Sequence, residues 1–247
     1  MWDDFLLFVA VGFVAQMIDG ALGMAYGVTS TTVLLSAGVP PATASACVHA
    51  AETFTTGASG LAHWRLANID RKLVYRLAIP GMIGGAIGAY VLVNLPGEKL
   101  RPVISAYLLI LGVVILIKAL RRSSKVDFPV IRIAPLGFFG GLLDAIGGGG
   151  WGAIVTSTLI GNGVAARYAI GSVNLAEFFV TATISVTFLA TIGLTLWPII
   201  LALVLGGILA APFAAYATKH IPDRVLMILV GSVVVILSLR SLLRTLA

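Results

Sequence analysis

Asp19-Gly20-Ala21-Leu22-Gly23-Met24-Ala25-Tyr26-Gly27 and Asp144-Ala145-Ile146-Gly147-Gly148-Gly149-Gly150-Trp151-Gly152 decide the fold. Each lies in the middle of an apolar stretch, 5–36 and 133–161, too long and too rich in glycine for one plain helix. Each therefore reads as two half-helices joined by unwound backbone, which membrane depth tolerates only where protein buries it or a cavity lines it. The two motifs are 125 residues apart, and the same offset aligns Gly12-Phe13 with Gly137-Phe138, Thr31 with Thr156, and Ala51-Glu52 with Ala176-Glu177. About a third of positions 12–56 are identical to their partners without a gap, and Asp falls on Asp and Glu on Glu. A duplication with interrupted helices at matching places is the sequence pointer to a transporter's binding site.

The rest of the chain agrees with a bilayer setting. It is 59% hydrophobic and 11% charged, with a mean hydropathy of +1.06. A soluble domain carries about 25% charged residues, so the polar side chains here are too few to cover a water-facing surface. Further apolar segments fall near 41–62, 73–94, 102–120, 166–190, 196–217 and 225–245, each about long enough to span a bilayer. The expected fold is an all-α polytopic integral membrane protein in one compact domain. It has a first repeat over 1–122, a connecting loop over 123–132 and a second repeat over 133–247. Each repeat has about four hydrophobic segments, the first broken by the Gly-rich stretch.

The net charge of +6 sits in Lys and Arg between apolar segments, which is the membrane pattern rather than a nucleic-acid signal. Two topologies fit it. With eight crossings, 11 of the 16 Lys and Arg share one side and both termini are cytoplasmic. With six crossings and two re-entrant hairpins, 12 share one side, both termini face outward, and the repeats are inverted. The start, Met1-Trp2-Asp3-Asp4, lacks the basic region and cleavage site of a secretory signal. The one cysteine, Cys47, reads as a small packing residue.

Length, the eight apolar segments and the duplicated Asp…Gly motif together resemble the TauE/SafE family of sulfite and organosulfonate exporters, over essentially the whole chain. The resemblance implies a plasma-membrane carrier, usually outward, for small sulfur-containing anions. It does not fix the anion.

Three groups of residues can carry the chemistry. A half-helix that starts after unwound glycines directs free N–H groups and a positive dipole end inward, which suits an anion. Gly23, Gly27, Gly148, Gly149, Gly150 and Gly152 are the binding candidates, with Tyr26 and Trp151 as walls; close helix packing also selects glycine. Asp19 and Asp144 either cap the following half-helix or couple a proton to transport. Glu52 lies ~16 Å into its helix, near mid-bilayer. Ser45, His49, Glu52, Thr56, Ser59 and His63 form one polar stripe along that helix, answered by Asn174, Glu177 and Thr181 in the second half. His49, Glu52, Asn174 and Glu177 join the two Asp as proton-coupling candidates. Gln16 is one turn from Asp19, though its equivalent is Gly141. Arg65 and Arg167, at segment ends, either draw an anion into the vestibule or, the better reading, serve as interfacial anchors.

The expected function is secondary active transport of an anion, with protons as coupling ion, the bilayer as setting and no nucleic acid. No cofactor or metal motif is present, and a homo-oligomer stays open. An anion channel is the main alternative. Two intramembrane protease readings are weaker. Gly57-Ala58-Ser59-Gly60 matches a GxSG string, but its Ser has only His63 nearby as a base. Asp19 and Asp144 precede their glycines, unlike the GxGD context of an aspartyl dyad.

Overall fold

A computed structural model describes residues 5–120, 132–194, 196–220 and 223–246. Met1 to Asp4 and all of the connecting loop except Arg132 lie outside the described residues. The described residues are almost entirely helical and contain no strand.

The first broken segment is α1 (Phe5–Leu22) and α2 (Tyr26–Ser36), then α3 (Pro41–Arg65), α4 (Arg71–Asn94) and α5 (Gly97–Leu120). The second is α6 (Ile133–Gly147) and α7, where a π-helical turn (Gly152–Thr156) runs into α-helix (Ser157–Gly161). Then come α8 (Ala166–Thr191), α9 (Trp197–His220) and α10 (Asp223–Leu246). All eight expected segments are present, and both long ones break where the glycines predict. The largest boundary difference is α5, which begins at Gly97 rather than at Pro102. Local chemistry sets several ends. Pro41 opens α3, where its missing N–H costs nothing. Asp70 caps α4 by accepting from Lys72 N at 2.9 Å and Leu73 N at 3.2 Å. α2 and α7 end in one turn: Val39 N donates to Leu34 O, and Val164 N to Leu159 O, past left-handed Gly38 and Gly163.

The helices of the two halves interleave. α1 packs on α9 and α6 on α4, while α3 packs on α8 and α5 on α10. Equivalent helices run antiparallel. On α3 and α8, Thr53 meets Ser185 while Gly60 lies against Leu175. On α5 and α10, Ser105 meets Ser241 at 2.8 Å and Leu116 covers Gly231. By contrast α4 and α6 run parallel, with Gly137 on Leu77 and Gly141 on Gly81. α1 and α9 follow the same rule, as Gly12 lies on Leu203, and Gln16 and Gly20 are near Gly207 and Ile208. Small residues let these backbones approach closely: a Cβ on Gly141 would stand 2.2 Å from Gly81 O. α1 therefore runs one way, α2 returns, and α3 reverses again. That is the direction pattern of the alternative with re-entrant hairpins and inverted halves.

Among the described residues three helices, 71–94, 97–120 and 167–191, are long and apolar enough to cross a bilayer on length and composition. Large apolar side chains face outward, with Leu6, Ile110, Val186 and Ile236 each over 60% exposed. Polar groups lie inside: Ser45, His49, Glu52, Thr56, Asn174, Glu177 and Thr181 are all buried. Apolar outside and polar inside is the arrangement of a protein whose solvent is lipid.

Candidate functional site

The two breaks meet at the centre. Gly23 and Ala25 carry φ of 66° and 95°, and Gly148, Gly149 and Gly150 carry 70°, 151° and 140°. These left-handed values stop the helices and turn the chain. A Cβ on Gly149 would stand 2.3 Å from Gly27 C and Val28 N, and one on Gly152 would stand 2.6 Å from Gly23 O. The breaks are thus in backbone contact. Thr31 Oγ1 donates to Gly148 O, and Thr156 Oγ1 donates to Gly23 O at 3.3 Å. Each half clasps the other's break through an equivalent threonine.

Asp144 caps the half-helix that follows it, and Asp19 faces the start of the other. Asp144 Oδ1 accepts from Trp151 N at 2.9 Å, at the start of the half-helix after the second break. Asp19 lies near the backbone of Tyr26, the equivalent residue. Glu52 reaches the same N-terminus through Gly27. The dipole ends that suit an anion therefore face the protein's own carboxylates. Tyr26 and Trp151 are 1% and 0% exposed and tie the site to its surroundings. Tyr26 OH donates to Leu203 O at 3.1 Å, and Trp151 Nε1 to Val173 O at 3.4 Å.

His49 joins the halves. Its Nδ1 lies 2.8 Å from Ser45 O, and its Nε2 lies 3.1 Å from Asp144 Oδ2. A carbonyl only accepts, so Nδ1 carries a hydrogen. Nε2 then either donates to an ionised Asp144 or accepts from a protonated one. In both cases the pair holds one shared proton. Ser45 Oγ donates to Ala145 O at 2.7 Å and fixes the same seam. The equivalent of His49 is Asn174, whose Oδ1 has no protein partner.

Asp19, Asp144, Glu52 and Glu177 lie within electrostatic reach of one another, all at least 93% buried. Among the described residues the ion pair His49–Asp144 is the one that joins this cluster to a base. Glu52 Oε2 has no protein partner. No three His, Cys, Asp or Glu side chains among the described residues converge as metal ligands.

Sequence reasoning missed Tyr107 of α5. Its hydroxyl donates to Gly149 O at 3.2 Å, and its ring lies against Gly147. The spacing of an apolar helix gave no sign of it. The Thr31–Thr156 identity was visible, but nothing local gave it a role. Arg167 is remote from the centre, stacked over neighbouring Tyr168 and bonded to its hydroxyl. Arg65 is exposed at the end of α3. Ser59 and His63 line a cavity beside α1 and α9, with no hydrogen bond joining them among the described residues.

Interrupted helices crossing inside an apolar-faced bundle, with buried carboxylates at the crossing, define a polytopic membrane transporter. The chain belongs to the sulfite exporter TauE/SafE family, whose profile matches residues 8–241. It is 41% identical over 246 residues to a Bacillus subtilis (strain 168) protein named "Probable membrane transporter protein YtnM". That alignment covers 96% of this chain and 82% of the relative. No solved structure matches the chain.

Proposed function

We propose that the protein is a proton-coupled secondary transporter that carries small sulfur-containing anions, such as sulfite or organosulfonates, across the plasma membrane, chiefly outward. Six helices cross and α1–α2 and α6–α7 are re-entrant hairpins. The termini face outward, and 62–76 and 118–132 face the cytoplasm by the positive-inside rule.

The observation that carries the mechanism is that carboxylates stand at the half-helix N-termini, with Asp144 Oδ1 2.9 Å from Trp151 N and Glu52 against Gly27. An anion and an ionised carboxylate compete for such N–H groups. The anion occupies the N-terminus once a proton neutralises the carboxylate and frees it. Binding of the anion thereby takes up a proton. Gly23, Gly27, Gly148, Gly149, Gly150 and Gly152 form the binding surface, walled by Tyr26 and Trp151. Asp19, His49, Glu52, Asp144, Asn174 and Glu177 carry or position the proton. The breaks touch each other here, so the halves part to admit the anion, as alternating access of inverted repeats provides.

The test is flux of sulfite, sulfate, thiosulfate, sulfoacetate, acetate and taurine in proteoliposomes, with and without a pH gradient. Saturable flux of a sulfur oxyanion or sulfonate that responds to the gradient supports the proposal. Conductive, non-saturating flux makes the protein a channel, and no flux of any of them removes the substrate class.

A further inference from the structure

A cavity of about 290 Å³ opens between α1, α3 and α9, lined among others by Gln16, Thr55, Ser59, His63 and Gly207. Gln16 is 4% exposed and its Oε1 has no protein partner; His63 Nδ1 is also unpartnered. Among the described residues no carboxylate lines the cavity, although Gln16 and Gly20 flank Asp19 on α1 and Thr55 follows Glu52 on α3. The inner end thus adjoins the acidic centre. The outer end is at His63 and Leu66, where α3 gives way to the basic 65–76 stretch. That stretch belongs to the Lys- and Arg-rich side in either topology.

The equivalent seam in the other half, between α4, α6 and α8, is filled. There Trp151 and Val180 press on Gly81, Ile184 presses on Gly85, and Phe188 is fully buried. Position by position, Gln16 answers to Gly141, Thr55 to Val180, Ser59 to Ile184 and His63 to Phe188. The opening is therefore written into the sequence of one half: small and polar groups replace large apolar ones along one face of α3.

We propose that this cavity is a loading subsite, in which Gln16, Ser59 and His63 hold the transported anion on its way from the basic side to the half-helix N-termini. It rests on the anion-transport reading above. The hydroxyl and imidazole offer hydrogen-bond donors to an oxyanion, as does the Gln16 amide with its Nε2 rather than Oε1 turned to the ligand, and the absence of carboxylates from the described lining spares the anion the repulsion it meets at the centre. The apolar remainder of the wall accepts a short carbon chain.

The experiment makes the first half resemble the second by Ser59→Ile with His63→Phe, a pair that already packs at the equivalent seam. Reconstituted protein of wild-type melting temperature should lose flux of the panel anions by about tenfold or more, the effect of removing buried hydrogen-bond partners. Independently, Ser59→Cys in a Cys47→Ala background should react with a membrane-impermeant thiol reagent from the 65–76 side alone, and sulfoacetate should slow that reaction. Undiminished flux in the filled variant, or labelling from the opposite side, overturns the subsite and leaves the transport reading standing. Absence of anion flux in the wild type overturns both.

Discussion

His49 Nε2 and Asp144 Oδ2 lie 3.1 Å apart, and this contact joins a helix of the first half to the break of the second. The partners at the far ends are also fixed: His49 Nδ1 on Ser45 O, and Asp144 Oδ1 on Trp151 N. A proton held in this pair is thereby linked to the N-terminus of the second half-helix. Loss of the proton leaves a buried pair that lacks a hydrogen, and the contact between halves weakens. His49→Asn gives this position the residue of its equivalent, Asn174, and keeps a hydrogen-bond donor for Asp144. The variant should fold and bind anion, yet lose the response of flux to a pH gradient. The same gradient response as wild type, measured in proteoliposomes, would take His49 out of coupling.

Glu52 faces the other half-helix and leaves Oε2 without a partner. Glu52→Gln keeps the size and removes the charge. Gradient-driven flux should vanish while the protein remains in the membrane, and anion exchange at equal pH should persist. A coupled flux unchanged from wild type would show that the proton travels elsewhere.

Thr31 and Thr156 make equivalent hydrogen bonds to the carbonyls of Gly148 and Gly23. Each replacement by Val should lower stability by about 1 kcal/mol, the net worth of such a bond, with more if the carbonyl stays unpaired. Thermal melting in detergent reads the loss. If the halves act as equals, the two variants should fall by similar amounts; a loss in only one would show that a single clasp holds the breaks.

Gly149→Ala should be worse than either. The added Cβ would meet Gly27 C and Val28 N at 2.3 Å, at a φ of 151°, so both strain and overlap oppose it. The expected cost is about 1–3 kcal/mol from overlap alone, read as a lower melting temperature together with lost transport. Gly38→Ala also has positive φ but meets nothing within 4 Å, and should cost less and leave transport intact. Equal effects at the two sites would mean that the breaks do not depend on close contact.

Much of this was legible before the structure. Hydropathy placed every helix, and the matched glycines placed both breaks, because lipid leaves the backbone few alternatives. The stripe from Ser45 to His63 announced an inward face, since polar groups on an apolar helix avoid lipid. Charge counting could not choose between eight crossings and two hairpins; that depends on helix directions, which contacts such as Gly60–Leu175 and Gly141–Gly81 reveal. The glycines read as anion-binding candidates or as close-packing residues. The neighbours packed on them, Tyr107 and the opposite break, come from distant sequence, and no local pattern encodes them. The repeat gives no support to Gln16, whose equivalent is Gly141, and the cavity arises where the halves differ in this way.

The most direct test is proton uptake upon anion binding. Purified protein in weak buffer near neutral pH would be titrated with sulfoacetate, or with a panel anion that flux identifies and that does not itself titrate there. Competition between the anion and a carboxylate predicts that about one proton enters per anion bound, and that Glu52→Gln removes this uptake while binding persists. Saturable anion binding with no change in proton content would contradict the account at its centre.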